Sequence, residues 1–322
     1  MLGNRQRLTP RLVSIFDSRW VTALFLCAVT LLFTACSAFR PADPTAIDEW
    51  HEWQAKRLNS MAGTNGWTSL VGLLWVHEGT NTLGSDPASD LQLPEGRAPK
   101  TAGLVIRTGT QARFIPAPGV TATLDGAPVT DAMLRSDGDG AEPEPAVLAL
   151  GSLRIITLQR SERMALRVKD PEAPTRRHFA GLDYYPYDPR WRIEGRFEPA
   201  AAYHTLKVTD VTGRVKAEPS PGTIVFTVDG QEQRLDVLDD DETYDLWAVF
   251  RDQTAGKTTY GGGRFLHVAM PGPDNRVVID FNYAYCPPCA FTSFATCPLP
   301  PRQNWLRIPV PAGEMKYRGG HE

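Results

Sequence analysis

An all-β protein is the fold class this sequence predicts, and three observations predict it. Proline and glycine are plentiful, at 27 residues each, which favours turns over long helices. Short apolar and β-branched runs recur between those turns. Only one stretch, residues 46–62, carries the period of an amphipathic helix. The expected architecture is two packed β modules with one short N-terminal helix.

The first 35 residues read as an export signal. Arg5, Arg7, Arg11 and Arg19 form a positive flank, and Asp17 is the lone acid. Trp20 to Phe33 is almost wholly apolar, shorter than the ~20 residues that span a bilayer but close to the core of a signal peptide. Phe33-Thr34-Ala35-Cys36 resembles the lipobox of bacterial lipoproteins. That resemblance implies cleavage before Cys36, lipidation of its thiol and a membrane partner reached through the lipid. Ser37 after the cysteine suggests a cell-envelope location, at an outer membrane facing the periplasm. Residues 36–46 read as a tether. Domain limits follow: 1–35 signal, 36–46 tether, 47–170 helix plus β-sandwich, 171–322 C-terminal β domain. Without residues 1–35 the net charge is about −6, from 30 basic and 36 acidic residues. That acidity argues against nucleic acid and anionic lipid as partners.

In residues 46–62, Trp50, Trp53, Leu58 and Met61 fall roughly on one face, with Thr45 the expected cap. Strands are expected at 104–107, 112–115, 121–124, 147–150, 153–158 and 164–169. A second set is expected at 191–197, 204–211, 223–228, 234–238 and 245–250. Asp125-Gly126 and Asp229-Gly230 read as hairpin turns. The proline and tyrosine run 181–189 reads as a loop joining two halves. Asp239-Asp240-Asp241-Glu242 lacks the spacing of a calcium loop and reads as a solvated turn.

Asn81 to Asp86, Ser89 to Pro94, Asp125 to Val129 and Leu150 to Leu153 resemble a forkhead-associated domain over about residues 75–160. That implies a β-sandwich. The arginine such domains use for phosphate is Ser85 here, and no Ser-Arg pair stands near Arg97-Ala98-Pro99, so phosphopeptide binding is not carried over.

From Phe250 to Leu266, from Asp280 to Phe291 and from Cys297 to Glu314 the text is distinctive. With Gly66 to Trp75 and Phe179 to Pro186, it resembles the family known as domain of unknown function 1684. The resemblance spans about residues 47–314 and implies no known activity and no cofactor. The C-terminal module is expected to be a β-barrel or sandwich.

The polar residues of this block suggest a ligand pocket. Arg264 would hold an anionic group, with Tyr260 and Asn282 orienting it. Thr254, Thr258, Arg176 and Arg177 complete the candidate ligand set. Asp252 and Glu314 are the candidate acid or base. The competing reading is a tight loop network in which Asp252 pairs with Arg264. No Gly-x-Ser-x-Gly elbow and no histidine metal spacing appears, so no metal site is expected. Cys286, Cys289 and Cys297 suggest redox chemistry, a metal or a staple. Three thiols fall short of the usual four ligands of structural zinc. An exported chain meets oxidising surroundings, which favours a Cys289–Cys297 disulfide and leaves Cys286 odd. The functional expectation is a lipoprotein binding a small polar or anionic ligand. The alternatives are a hydrolase using Asp252 or Glu314 with Arg264, and a structural or assembly factor.

Overall fold

A computed structural model describes residues 43–138, 144–201, 204–240 and 245–319. The export signal and Cys36 lie outside the described residues, as do Asp241 and Glu242 of the acidic run. Asp239 and Asp240 end a strand. Among the described residues, no helix is long and apolar enough to cross a membrane.

The helix α1 spans Pro44–Ala62. Its cap is Asp43 rather than Thr45: the Asp43 carboxylate accepts from the Thr45 amide at 3.0 Å. Pro44 follows as the first helical residue, where a missing N–H costs nothing. The inward stripe also differs from expectation. Trp50 and Met61 are buried, but Leu58 is 40% exposed. Spacings of three, four and four carry the stripe through Trp50, Trp53, Arg57 and Met61, so a charged residue takes the place expected of Leu58.

The N-terminal module is a sandwich of two sheets. Its strands are β1 (Leu70–Val76), β2 (Gly79–Gly84), β3 (Leu91–Gln92), β4 (Gly103–Thr108), β5 (Gln111–Pro116), β6 (Thr123–Leu124), β7 (Ala127–Pro128), β8 (Ala132–Leu134), β9 (Leu148–Leu150), β10 (Leu153–Arg160) and β11 (Arg163–Lys169). One sheet has the order β1-β11-β10-β9-β6-β7 and the other β3-β2-β4-β5-β8. Val76, Leu83, Val105, Phe114, Ile155 and Val168 meet between them. Asp125 and Gly126 both have positive φ, 50° and 83°, as a tight hairpin requires.

A short helix α2 (Pro174–Arg177) leads to the C-terminal module. Its strands are β12 (Arg192–Pro199), β13 (Thr205–Asp210), β14 (Val215–Pro219), β15 (Gly222–Val228), β16 (Gln231–Asp240), β17 (Asp245–Phe250), β18 (Arg264–Val268), β19 (Arg276–Asp280) and β20 (Pro298–Leu299). The main sheet runs β18-β17-β16-β15-β12-β19, and a small one runs β14-β13-β20. The core gathers Phe226, Leu246, Phe250, Leu266, Ile279 and Phe281 with Val310 and Ala312 from the final segment. Burying each large apolar side chain stabilises by about 1.5–3 kcal/mol. Asp229-Gly230 is the expected hairpin turn, with φ of 48° and 76°.

Two long irregular segments then complete the module. One joins β17 to β18 and the other follows β19. The tyrosine and proline run lies along the second, where Tyr184 bridges to Glu314 and the Tyr185 amide donates to the Gly313 carbonyl at 3.0 Å. Gly313 has φ 75°, and a Cβ there would stand 2.5 Å from the Ala284 carbonyl, so only glycine fits.

Candidate functional site

The turn after β17 delivers Asp252, and β18 opens with Arg264. The two form a buried ion pair, Nη2 to Oδ2 at 2.8 Å, with side chains 1% and 2% exposed. Arg264 also donates to the carbonyls of Val310, at 2.9 Å, and Ala312. Asp252 Oδ1 accepts from the Thr254 amide at 2.7 Å, the Thr254 hydroxyl at 2.5 Å and the Val310 amide at 3.2 Å. Thr254 shares a hydrogen bond with Thr259 at 2.8 Å. These groups meet one another and bind segment 310–312 to the β17–β18 turn.

Glu314 lies in a second buried group. Arg57 Nε donates to its Oε2 at 3.0 Å, and Arg57 Nη2 donates to the Cys286 carbonyl at 2.7 Å. The guanidinium stacks over the Tyr285 ring, 4.6 Å from its centre. Glu314 Oε1 and the Tyr184 hydroxyl have no hydrogen-bond partner among the described residues. Burial raises the Glu314 carboxyl despite the Arg57 charge beside it. At Arg57 burial is the largest single influence and pulls the guanidinium down, yet the Glu314 charge and hydrogen bond, with Tyr285 and Tyr184, together outweigh it and the net shift is upward. The balance therefore differs at the two partners: desolvation dominates at the fully enclosed carboxyl and pairing at the less enclosed guanidinium. Burial, then Glu314, pushes the Cys286 thiol well up.

The other predicted residues are spread around these two groups. Asn282 accepts from the Asp188 amide at 3.0 Å and donates to Asp280 at 2.8 Å. Its carbonyl takes the Trp50 indole N–H at 2.9 Å, which fastens α1 to the C-terminal module. Thr258 accepts from the Tyr185 hydroxyl. Tyr260 donates to the Cys289 carbonyl at 3.1 Å. Arg176 donates to the Pro171 carbonyl at 2.8 Å, and Arg177 pairs with Glu172 at the surface. These two arginines belong to α2 and make no contact with the Asp252–Arg264 pair.

The expected Cys289–Cys297 disulfide is not formed, and Cys286, Cys289 and Cys297 are free, buried thiols. Pro288 starts a single helical turn that aims the Cys289 amide at Cys297 Sγ, 3.2 Å away, so that sulfur takes a backbone hydrogen bond instead of a covalent one.

A cavity of about 540 Å³ opens where the two modules meet. Arg160 and Gln159 reach it from β10, Arg214 and Lys216 from the β13–β14 hairpin, and Trp247 from β17. Val208, Leu238 and Pro298 supply apolar wall, and Asp210, Glu218 and Asp239 add carboxylates to it. Arg160 pairs with Asp137 at 2.7 Å and Lys216 with Glu218 at 2.7 Å. Arg214 has no carboxylate partner among the described residues; its Nη2 donates to Ser161 at 2.9 Å. The Trp247 indole N–H, closed off from solvent, has no acceptor among the described residues. The Trp247 ring is held edge-on to Phe265 at 4.8 Å. Arg57, Tyr184, Arg214 and Trp247 were not singled out from the sequence. Only the 3-4-4 spacing of the α1 stripe pointed to one of them, Arg57.

The fold and these groups define an all-β protein of two modules closed by an N-terminal helix. Over residues 177–315 the chain matches the family described as Protein of unknown function (DUF1684). A solution NMR structure of an uncharacterized protein from gene locus rrnAC0354 of Haloarcula marismortui is similar, at 33% identity over 44% of this chain and 80% of that one, with a TM-score of 0.37. The FhaA FHA domain, solved in complex with the intracellular domain of Rv3910, is similar at 19% identity over 30% of this chain and 97% of that one, TM-score 0.21. The FHA-2 domain from the Mycobacterium tuberculosis ABC transporter Rv1747 is similar at 17% identity over 29% and 77%, TM-score 0.22. No curated protein matches the chain. Ser85 is buried and donates to the Ala98 carbonyl at 2.8 Å.

Proposed function

We propose that this protein is an envelope lipoprotein, anchored through Cys36, whose β modules bind a small organic anion with an apolar body in the cleft between them. One observation carries the reading. A guanidinium without a carboxylate ion pair, Arg214, and the ring of Trp247 belong to the same cavity, beside the carboxylates of Asp210, Glu218 and Asp239. An anion would give the Arg214 guanidinium the charged partner it lacks. Val208, Leu238 and the Trp247 ring would take the apolar part. The candidate pocket thus moves to the cleft from Asp252 and Arg264, which pair with each other, and from Glu314, which pairs with Arg57.

Calorimetric titration with acetate, hexanoate and benzoate tests the site. Hexanoate or benzoate should bind more tightly than acetate. Arg214→Gln should weaken that binding about tenfold, the worth of one charge-assisted hydrogen bond, and Trp247→Ala should weaken hexanoate and benzoate more than acetate. Absence of binding by all three carboxylates, or binding unmoved by both variants, overturns the assignment. For the anchor, Cys36→Ser should abolish incorporation of labelled palmitate and release the chain from membranes. A wild-type chain that takes no label refutes the anchor.

A further inference from the structure

Two thiols and a cation meet where the cysteine loop packs on the N-terminal sheet. Cys289 and Cys297 are separated by 8 positions and joined by the Cys289 amide hydrogen bond to Cys297 Sγ. Each thiol also acts on the acidity of the other. Arg167 of β11 approaches from the sheet, its guanidinium stacked on Trp67 at 5.2 Å from the ring centre. Arg167 Nε has no acceptor among the described residues, and its charge acts on Cys297. Cys289 also lines an open cavity of about 360 Å³, walled by Trp75, Tyr260, Thr292 and Phe294. Cys289 therefore borders an opening, while Cys297 is not part of that wall.

We propose that Cys289 and Cys297 form a redox-active dithiol that closes reversibly to a disulfide, with Cys289 as the entry thiol and Arg167 as the electrostatic support of Cys297. The oxidant is a low-molecular-weight disulfide. Cys289 thiolate attacks one of its sulfurs, forming a mixed disulfide and expelling one thiolate, which takes the proton Cys289 gave up. Cys297 thiolate then attacks Cys289 Sγ and expels the second small thiol, which takes the proton from Cys297. Two protein thiols are oxidised, and one small disulfide is reduced to two thiols. Sharing a proton with Cys297, with the Tyr260 hydroxyl adding to it, holds Cys289 below the ordinary thiol range, while Cys297 is held up by the same sharing and by burial. That asymmetry suits an attacking and a resolving partner. Cys286 stands apart, its Sγ donating to the Met315 carbonyl at 3.3 Å.

The full-length protein is equilibrated in glutathione and glutathione disulfide at stepped ratios, acid-quenched, alkylated and mapped by mass spectrometry. The expected result is one two-electron transition that joins Cys289 to Cys297 and leaves Cys286 alkylated. Cys286→Ser should keep the transition, and Cys289→Ser and Cys297→Ser should each abolish it. Arg167→Met should leave the first attack by Cys289 on glutathione disulfide unchanged and slow the closure by Cys297, whose thiolate loses the cation beside it. All three thiols alkylated at every ratio, or a disulfide that includes Cys286, overturns the proposal. An Arg167→Met closure rate equal to wild type removes Arg167 from it.

Discussion

Replacing Asp252 with alanine separates an architectural role from a ligand-binding one. The change leaves the Arg264 charge 1% exposed with no counter-ion. Breaking one side of a buried ion pair costs about 3–5 kcal/mol. The Thr254 and Val310 amides lose their acceptor as well, and each unsatisfied buried donor costs about 1–3 kcal/mol. The losses share one site and do not add fully, so about 5 kcal/mol is expected. That equals the whole stability of many domains. Arg264→Met should cost less, about 3 kcal/mol, because Asp252 keeps three donors and only the Val310 and Ala312 carbonyls go short. The double variant should lose less than the two single losses summed. Urea unfolding followed by tryptophan fluorescence reads all three, with 8 tryptophans in the chain. A loss under about 1 kcal/mol for Asp252→Ala refutes the architectural reading.

Three further outcomes follow from the same contacts. The Glu314 carboxyl is raised in the folded chain by burial, so the folded state holds its proton more tightly than the unfolded state. Its contribution to stability is therefore full below the ordinary 4.5 and is lost as pH climbs toward the folded value, and Glu314→Gln should flatten that decline in urea midpoints taken between pH 4 and pH 8. Arg57→Met leaves the buried carboxylate without its cation; it should destabilise by about 3 kcal/mol at pH 7 and clearly less at pH 4, where Glu314 is protonated, and equal losses at the two pH values would break the assignment. Closing the Cys289–Cys297 bond removes chain entropy from a loop of 8 positions, so the oxidised protein should be more stable than the reduced one by about 2–3 kcal/mol in paired denaturation curves, and equal midpoints would show that the bond strains the folded loop.

Much of the fold was legible in the sequence because strand periodicity and turn chemistry are local. Asp125-Gly126 and Asp229-Gly230 named two hairpins, and their positive φ values are the reason such pairs occupy them. Strands β1 and β19 were harder to read. Leu70–Val76 is an apolar run around Gly72 without alternation, and Arg276–Asp280 is only five residues long. The α1 stripe was read one residue away from Arg57 because hydrophobicity directs attention to Leu58. Arg57 faces inward because Glu314, 257 positions later, is waiting for it, and nothing within α1 announces that partner.

The polar residues of the C-terminal block were legible as a group, but their purpose depends on where the backbone lacks a sheet. The turn 251–263 and the segment 281–314 contain little strand, so their peptide groups find few partners in a ladder. Side chains must supply those partners, or buried N–H and C=O groups go unpaired. Arg264 serves two carbonyls and Asp252 two amides, Asn282 braces residue 188, and Asn304 serves the Asp236 and Val249 carbonyls at 2.8 and 2.9 Å. A charged residue that serves two backbone groups and one opposite charge is committed to that network, and the one Arg264 nitrogen without an acceptor among the described residues, Nε, is buried. The groups that border cavities lie outside the network: Arg214 and the Trp247 ring in the cleft, and Cys289 at its own opening. Binding and redox chemistry are therefore to be sought where the two modules meet, while the distinctive polar text of the C-terminal block holds the irregular segments in place.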